Sequence, residues 1–180
     1  MAASIASAEE EKMRKDNQLV AVITGSSRGI GRGIAKVLGE RGATVYVTGR
    51  TEVSGTQKSP NGDPVPSSIH EVAEEINKLG GKGIAVAVDL TDDKQIRDLF
   101  ERVQREQGHL NILVNNAAYL NEKMHVRPFW NAPVDLANII DVGLRCHHVA
   151  TYYADRQLLS MVANIASDEE RRAKAVQSSD

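Results

Sequence analysis

Four short apolar runs alternate with amphipathic stretches over residues 19–115. The runs are Leu19–Ile23, Thr44–Thr48, Ile84–Val88 and Asn111–Asn115. Each is too short for a helix and ends in turn-forming residues, so each predicts a strand covered on both faces. Between the first two, residues 28–41 place Ile30, Ile34, Val37 and Leu38 at helical spacing, and Gly42 stands where a helix end favours glycine. A second helix is expected from Ser67 to Leu79, with Ser67 or Ser68 as cap, Glu71 as capping-box partner and Gly80-Gly81 as the stop. A third runs from Asp92 to Glu106 with Ile96, Leu99, Phe100 and Val103 on one face. This alternation predicts the α/β class: three αβα layers around a mainly parallel sheet, truncated after about four strands.

The segments between and beyond these elements read differently. Glu52 to Ser68 contains Pro60, Pro64 and Pro66 and predicts a long polar loop, and a second irregular loop spans Ala117 to Pro133. Val134 to Leu159 is a long helical stretch with Leu136, Ile139, Ile140, Leu144, Val149, Tyr153, Leu158 and Leu159 among its apolar positions. Ser160 to Ser167 suggests a weak strand, and Asp168 to Asp180 is charged and polar. The expected organisation is an N-terminal extension at 1–18, a folded unit at 19–159 and a divergent polar tail at 160–180.

Composition narrows the function classes. Hydrophobic residues make up 41% and charged residues 26%, as in an ordinary globular chain with one core. A net charge of −2 gives no bulk electrostatic case for nucleic acid. The single cysteine, Cys146, cannot form an internal disulfide, which fits a reducing, cytoplasmic setting. Cys146, His147 and His148 are adjacent on a helix and point about 100° apart, so they do not converge on a metal, and no metal site is expected.

The chemistry-bearing motif is Thr24-Gly25-Ser26-Ser27-Arg28-Gly29-Ile30-Gly31, between the first strand and the first helix. Gly25 lets the chain turn sharply, while Gly29 and Gly31 clear side chains where a pyrophosphate and the sheet must come close. The helix start offers free N–H groups and a partial positive charge to the phosphates. This strand–turn–helix context is the one a dinucleotide site of a Rossmann-like fold requires. The alternative is a tight turn with no ligand. Beyond the second strand, where an NAD site places a carboxylate for the ribose, the chain has Thr48-Gly49-Arg50. A guanidinium pairs with a 2′-phosphate that a carboxylate would repel, so Arg50, helped by Arg28, favours NADP(H) over NAD(H). Glu52, two residues on, argues the other way.

With Asp89-Leu90 after the third strand and Asn115-Asn116-Ala117-Ala118 after the fourth, the glycine turn resembles the short-chain dehydrogenases/reductases. Within them the chain resembles the subgroup of dehydrogenase/reductase SDR family member 1. That similarity rests on residues 27–35 and 44–50, Phe129-Trp130 and Val142-Gly143-Leu144-Arg145, and it spans roughly Leu19 to Leu159. The resemblance implies an NAD(P)-dependent oxidoreductase moving a hydride between NADP(H) and a small-molecule carbonyl or alcohol. It implies cofactor contacts from Gly25, Ser27, Arg28, Gly29, Ile30, Gly31, Arg50, Asp89, Leu90, Asn116, Ala117 and Ala118, with Asp89 beside the adenine and Asn115 stabilising the sheet. It also implies homo-oligomer contacts through the 134–159 helix and an association with the endoplasmic reticulum.

The family's catalytic Tyr-x-x-x-Lys is not matched in its expected place. Tyr119 and Lys123 have the spacing but follow the fourth strand directly, whereas the family motif sits on a later helix. Tyr152 precedes Arg156, which does not titrate as a lysine would. Asp141 occupies the position of the relay Asn, and a carboxylate has no amide donor. Ser167 stands where Met161–Ala166 faintly resembles the strand that ends in the catalytic Ser. Three readings follow: a reductase-family chain inactive as it stands, a non-catalytic nucleotide-binding or dimerisation module, or a half-sheet too small to fold stably.

Overall fold

The computed structural model describes residues 18–56, 64, 66–119, 129–131, 133–155 and 157–158. The expected N-terminal extension lies outside them except for Gln18, as do the polar tail, Lys123 and Ser167.

The four strands form where the apolar runs predict them: β1 (Val20–Ile23), β2 (Thr44–Gly49), β3 (Lys82–Ala87) and β4 (Ile112–Val114). All pair in parallel, in the order β3-β2-β1-β4. β3 starts two residues before its apolar run because Lys82 and Gly83 continue the ladder against Thr44 and Val45. Gly83 is needed there: a Cβ would lie 2.6 Å from the Ala73 Cα in the helix above. The two outer strands are only half-buried along most of their length, whereas β1 is buried throughout and β2 up to Thr48. The expectation of full cover on all four strands therefore holds only for the central pair.

Helices α1 (Gly29–Glu40) and α2 (Ile69–Lys78) lie on one face, and α3 (Asp93–Gln107) lies on the other. Right-handed crossovers dictate this. The chain steps outward from β1 to β3 with its helices on one side, then crosses back past β1 to β4 with α3 on the opposite side. Alternate strand residues fill the two cores. Ile23, Val45 and Val47 meet Ala35, Ile69, Val72 and Ile76, whereas Val20, Val22 and Tyr46 meet Ile96, Leu99, Phe100 and Val103.

The local signals at the helix ends act as read. Ser68, not Ser67, caps α2: its hydroxyl accepts from the Glu71 N–H at 3.1 Å, and Glu71 Oε2 accepts from the Ser68 N–H at 3.0 Å. Asp92 caps α3. Gly42 adopts φ +79° after α1.

The stripe on α1 is out of phase with its expected one. Gly31, Ala35 and Gly39 face inward, so Ile30 is 78% and Val37 52% exposed, with Ile34 and Leu38 at the flanks. Small residues at four-residue spacing let the helix sit close, and a Cβ on Gly39 would come within 2.8 Å of Ile76 Cγ2.

Helix α4 covers 138–155 and 157–158, entered through a 3₁₀ turn at Val134–Ala137. A wider π turn at Asp141–Arg145 interrupts it. The extra residue of a π turn rotates the following face by about 100°. Ile139, Ile140 and Leu144 accordingly lie exposed, while Cys146, Ala150 and Ala154 enter the α3 core. The unbroken apolar stripe expected over 134–159 is therefore two half-stripes facing different ways. Among the described residues, no helix is long and apolar enough to cross a membrane.

Candidate cofactor site

The strand order reverses at β1, whose neighbours are β2 on one side and β4 on the other. In an open parallel sheet, the crevice beyond the strand ends at such a reversal is where ligands bind. One lip is the glycine turn leaving β1, and the other is Asn115–Ala118 leaving β4.

Thr24 joins the lips. Its hydroxyl accepts from the Asn116 N–H at 2.9 Å and the Ala117 N–H at 3.1 Å, and it donates to the Val114 carbonyl at 3.3 Å. The Asn116 amide donates back to the carbonyls of Thr24 at 2.9 Å and Gly25 at 3.1 Å. The backbones come so close that a Cβ on Gly25, at φ +65°, would lie 2.8 Å from the Ala117 Cα. A Cβ on Gly31 would strike the Asn116 amide nitrogen and lie 2.8 Å from the Gly25 carbonyl. Gly29 is different: it takes φ +57° with nothing within 4 Å of a would-be Cβ, so it needs glycine for its backbone and leaves open space beside it.

Ser26 fixes the other side of the turn. Its hydroxyl donates to the Ile23 carbonyl at 2.9 Å and accepts from the Thr48 N–H at 2.9 Å, tying the turn to the end of β2. The turn then opens α1 at Arg28, with no side-chain cap on the helix start. Both α2 and α3 do have such caps. The first N–H groups of α1 therefore remain available to an external acceptor.

The remaining predicted residues distribute around this crevice. Arg50 is exposed just past β2. Asp89 follows β3, and the Thr91 N–H, then the Thr91 hydroxyl and the positive charge of Arg50, hold its carboxyl below the usual range. Leu90 is buried in the core and cannot offer its side chain to a ligand. Glu52 pairs with His70 Nε2 at 3.7 Å on the first turn of α2. Asn115 reaches α4, donating to Thr151 Oγ1 at 3.0 Å, so its side chain joins the sheet to that helix. His147 on α4 completes the join through Nε2 and the Ala117 carbonyl at 2.8 Å.

Asp141 lies elsewhere. It opens the π turn and lines a cleft of about 550 Å³ with Thr91, Asp92, Asp93, Lys94 and Arg145. Arg145 forks onto the Asp93 carboxylate, one arm at 2.7 Å, and holds it below the usual carboxylate range. Sequence reading missed the hydroxyls of Thr51 and Ser67 and the ring of His147. Nothing but polarity marks them in the sequence, and their roles appear only in the fold.

Known proteins share this fold. A family model for short chain dehydrogenase matches residues 19–178. The human dehydrogenase/reductase SDR family member 1 is 40% identical over 148 residues, covering 79% of this chain and 43% of that protein. The chain thus spans less than half the length of that relative. A metagenomic short-chain oxidoreductase solved in complex with NADP superposes with a TM-score of 0.64 at 27% identity, covering 79% of this chain and 57% of that one. A short-chain type dehydrogenase/reductase from Mycobacterium marinum gives 0.62 at 27% identity, with 77% and 49% covered.

Thr24→Val keeps the side-chain shape and removes the hydroxyl that joins the lips. It strands the Asn116 and Ala117 N–H groups, so unfolding free energy should fall by about 1–3 kcal/mol, with Thr24→Ser close to wild type. Urea unfolding followed by circular dichroism measures this, and equal stability of Thr24→Val and wild type would show that the bonds contribute nothing.

Proposed function

The chain belongs to the short-chain dehydrogenase/reductase family, and on that premise we propose that its crevice holds NADP(H) in preference to NAD(H). The observation that carries this is the position of the glycine turn. It forms one lip of the reversal in strand order and presents an uncapped helix start and Arg28, while Arg50 stands just past the neighbouring strand β2.

The residues present fit such a cofactor. Gly25 and Gly31 allow the backbones to meet, the open space at Gly29 admits a pyrophosphate, and the α1 N–H groups and dipole suit its charge. Arg50 and Arg28 supply the cationic partners for a 2′-phosphate. Glu52, two residues on, carries the opposing charge, with its carboxylate 3.7 Å from His70 Nε2 on α2. Asp89 supplies a carboxylate on the adenine side. Ala117 and Ala118 keep the opposite lip narrow, and Ser27, Ile30 and Asn116 complete the cradle around it. The bound cofactor would exchange a hydride with a carbonyl or alcohol, the family's reaction. Two copies of the chain would meet through the exposed part of the 134–159 segment.

The same reading expects little turnover from these 180 residues. The family reaction uses a tyrosine on a later helix, where a lysine four residues on makes it a working acid and base at neutral pH. Tyr119 lies on the β4 lip, immediately after Ala118, and Asp141 offers a carboxylate where the family relay uses an amide. We propose a cofactor-binding chain whose reaction needs groups these residues do not provide.

Two measurements test this. Isothermal titration should show NADP+ binding more tightly than NAD+, and Arg50→Ala should weaken NADP+ about ten- to hundredfold while leaving NAD+ nearly unchanged. Equal affinities in the wild type would remove the NADP(H) preference. NADPH oxidation with a panel of small ketones and aldehydes should stay at background for the purified chain. Turnover abolished by Tyr119→Phe would overturn the assignment of that residue as non-catalytic.

A further inference from the structure

The polar segment after β2 meets the glycine turn through two buried hydroxyls. Thr51 is 3% exposed, and its Oγ1 accepts from Arg28 Nη2 at 2.8 Å. Ser67 is 4% exposed, and its hydroxyl donates to the Ser27 carbonyl, the residue before Arg28. Both tie back to the start of α2: the Thr51 carbonyl accepts from the Ile69 N–H at 2.9 Å, and Ser67 immediately precedes the capping residue Ser68. Ser67 is also the one non-glycine residue among those described with a positive φ, at 110°. An L residue rarely adopts this conformation unless its surroundings hold it there. Here the Ser27 carbonyl holds its side chain, and Ser54 Oγ accepts from its N–H at 2.9 Å.

Arg28 differs from the ion-paired arginines in its partners. Arg32 pairs with Glu75, Arg97 with Asp98 and Glu101, Arg102 with Glu106, and Arg145 with Asp93. Among the described residues, Arg28 bonds instead to two neutral hydroxyls, Thr51 and Ser27. A hydroxyl fixes the direction of a guanidinium without cancelling its charge. Arg28 is therefore anchored, half-buried and still cationic at the mouth of the crevice. A long side chain ordered before binding no longer loses that freedom on binding, so an anion meets a preformed partner.

We propose that Thr51 and Ser67 are positioning residues for cofactor selectivity: together they aim Arg28 so that a phosphate on the adenosine ribose is bound in preference to a bare hydroxyl. Thr51 holds the guanidinium, and Ser67 holds the backbone that carries it. This rests on the NADP(H) reading above, because without a 2′-phosphate there is nothing for the aimed charge to select.

The test is the ratio of NADP+ to NAD+ affinity, measured by isothermal titration on the full 180-residue chain and four variants. Thr51→Val should weaken NADP+ about tenfold and change NAD+ by less than about twofold, and Thr51→Ser should restore the wild-type ratio. Ser67→Gly, which loses the hydroxyl but tolerates the positive φ, should weaken NADP+ about threefold with NAD+ unchanged. Arg28→Ala should lower the ratio at least as far as Thr51→Val. Equal loss of both cofactors in Thr51→Val and Ser67→Gly would make the hydroxyls merely structural and overturn the proposal. An unchanged ratio in both, with the wild type still preferring NADP+, would overturn it while leaving the NADP(H) reading intact. A wild type with no preference would end both.

Discussion

The backbone leaving β1 and the backbone leaving β4 run almost in contact, and the rest of the site depends on that approach. Gly25 and Ala117 permit it, and the Thr24 hydroxyl and Asn116 amide hold it with bonds in both directions. Because the lips are joined at their base, α1 starts at a fixed height above the sheet, with its first N–H groups directed outward. Ser26 sets the second boundary by joining the same turn to β2. A few short bonds thereby relate three strand ends to one another, and every group proposed to contact a cofactor emerges from one of those ends or from the close of β3.

A physical division follows between the inner and outer parts of the sheet. β1 and β2 are buried on both faces by α1, α2 and α3, and they provide the rigid floor. The functional groups stand on connections just beyond that floor, where the backbone is free to take positive φ and the side chains to meet water. The outer strand β4 is only half-buried, and α4 shows its apolar residues to solvent before the π turn and to the core after it. The π turn at Asp141–Arg145 makes that change of face, and the Arg145 fork onto Asp93 pins it to the start of α3.

Much of this was legible in the sequence. The four apolar runs identified the strands because a parallel strand buried on both faces needs no alternation. The Ser68–Glu71 box, the Asp92 cap and the glycines at helix ends were readable because each acts within one turn of chain. The glycine turn was readable for the same reason. The phase of α1 was not, because hydrophobicity points to Ile30 and Val37 while close packing selects Gly31, Ala35 and Gly39. The change of face in α4 was hidden, since a π turn adds a residue without changing the composition. Thr51, Ser67 and His147 were invisible as site residues, because their partners lie 23, 40 and 30 positions away in sequence. Asn115 and Asn116 were legible as a pair but not by their division of labour, one reaching α4 and the other the glycine turn.

The central claim is that the crevice at the strand-order reversal is a nicotinamide dinucleotide cradle. It is tested most directly by thermal unfolding of the chain in increasing concentrations of NADP+. A ligand bound only to the folded state at about a hundred times its dissociation constant adds about 2.7 kcal/mol to stability. The melting temperature should rise with NADP+ by several degrees, on the order expected for a domain of this size. A cooperative transition that stays at the same temperature through millimolar NADP+ would contradict it.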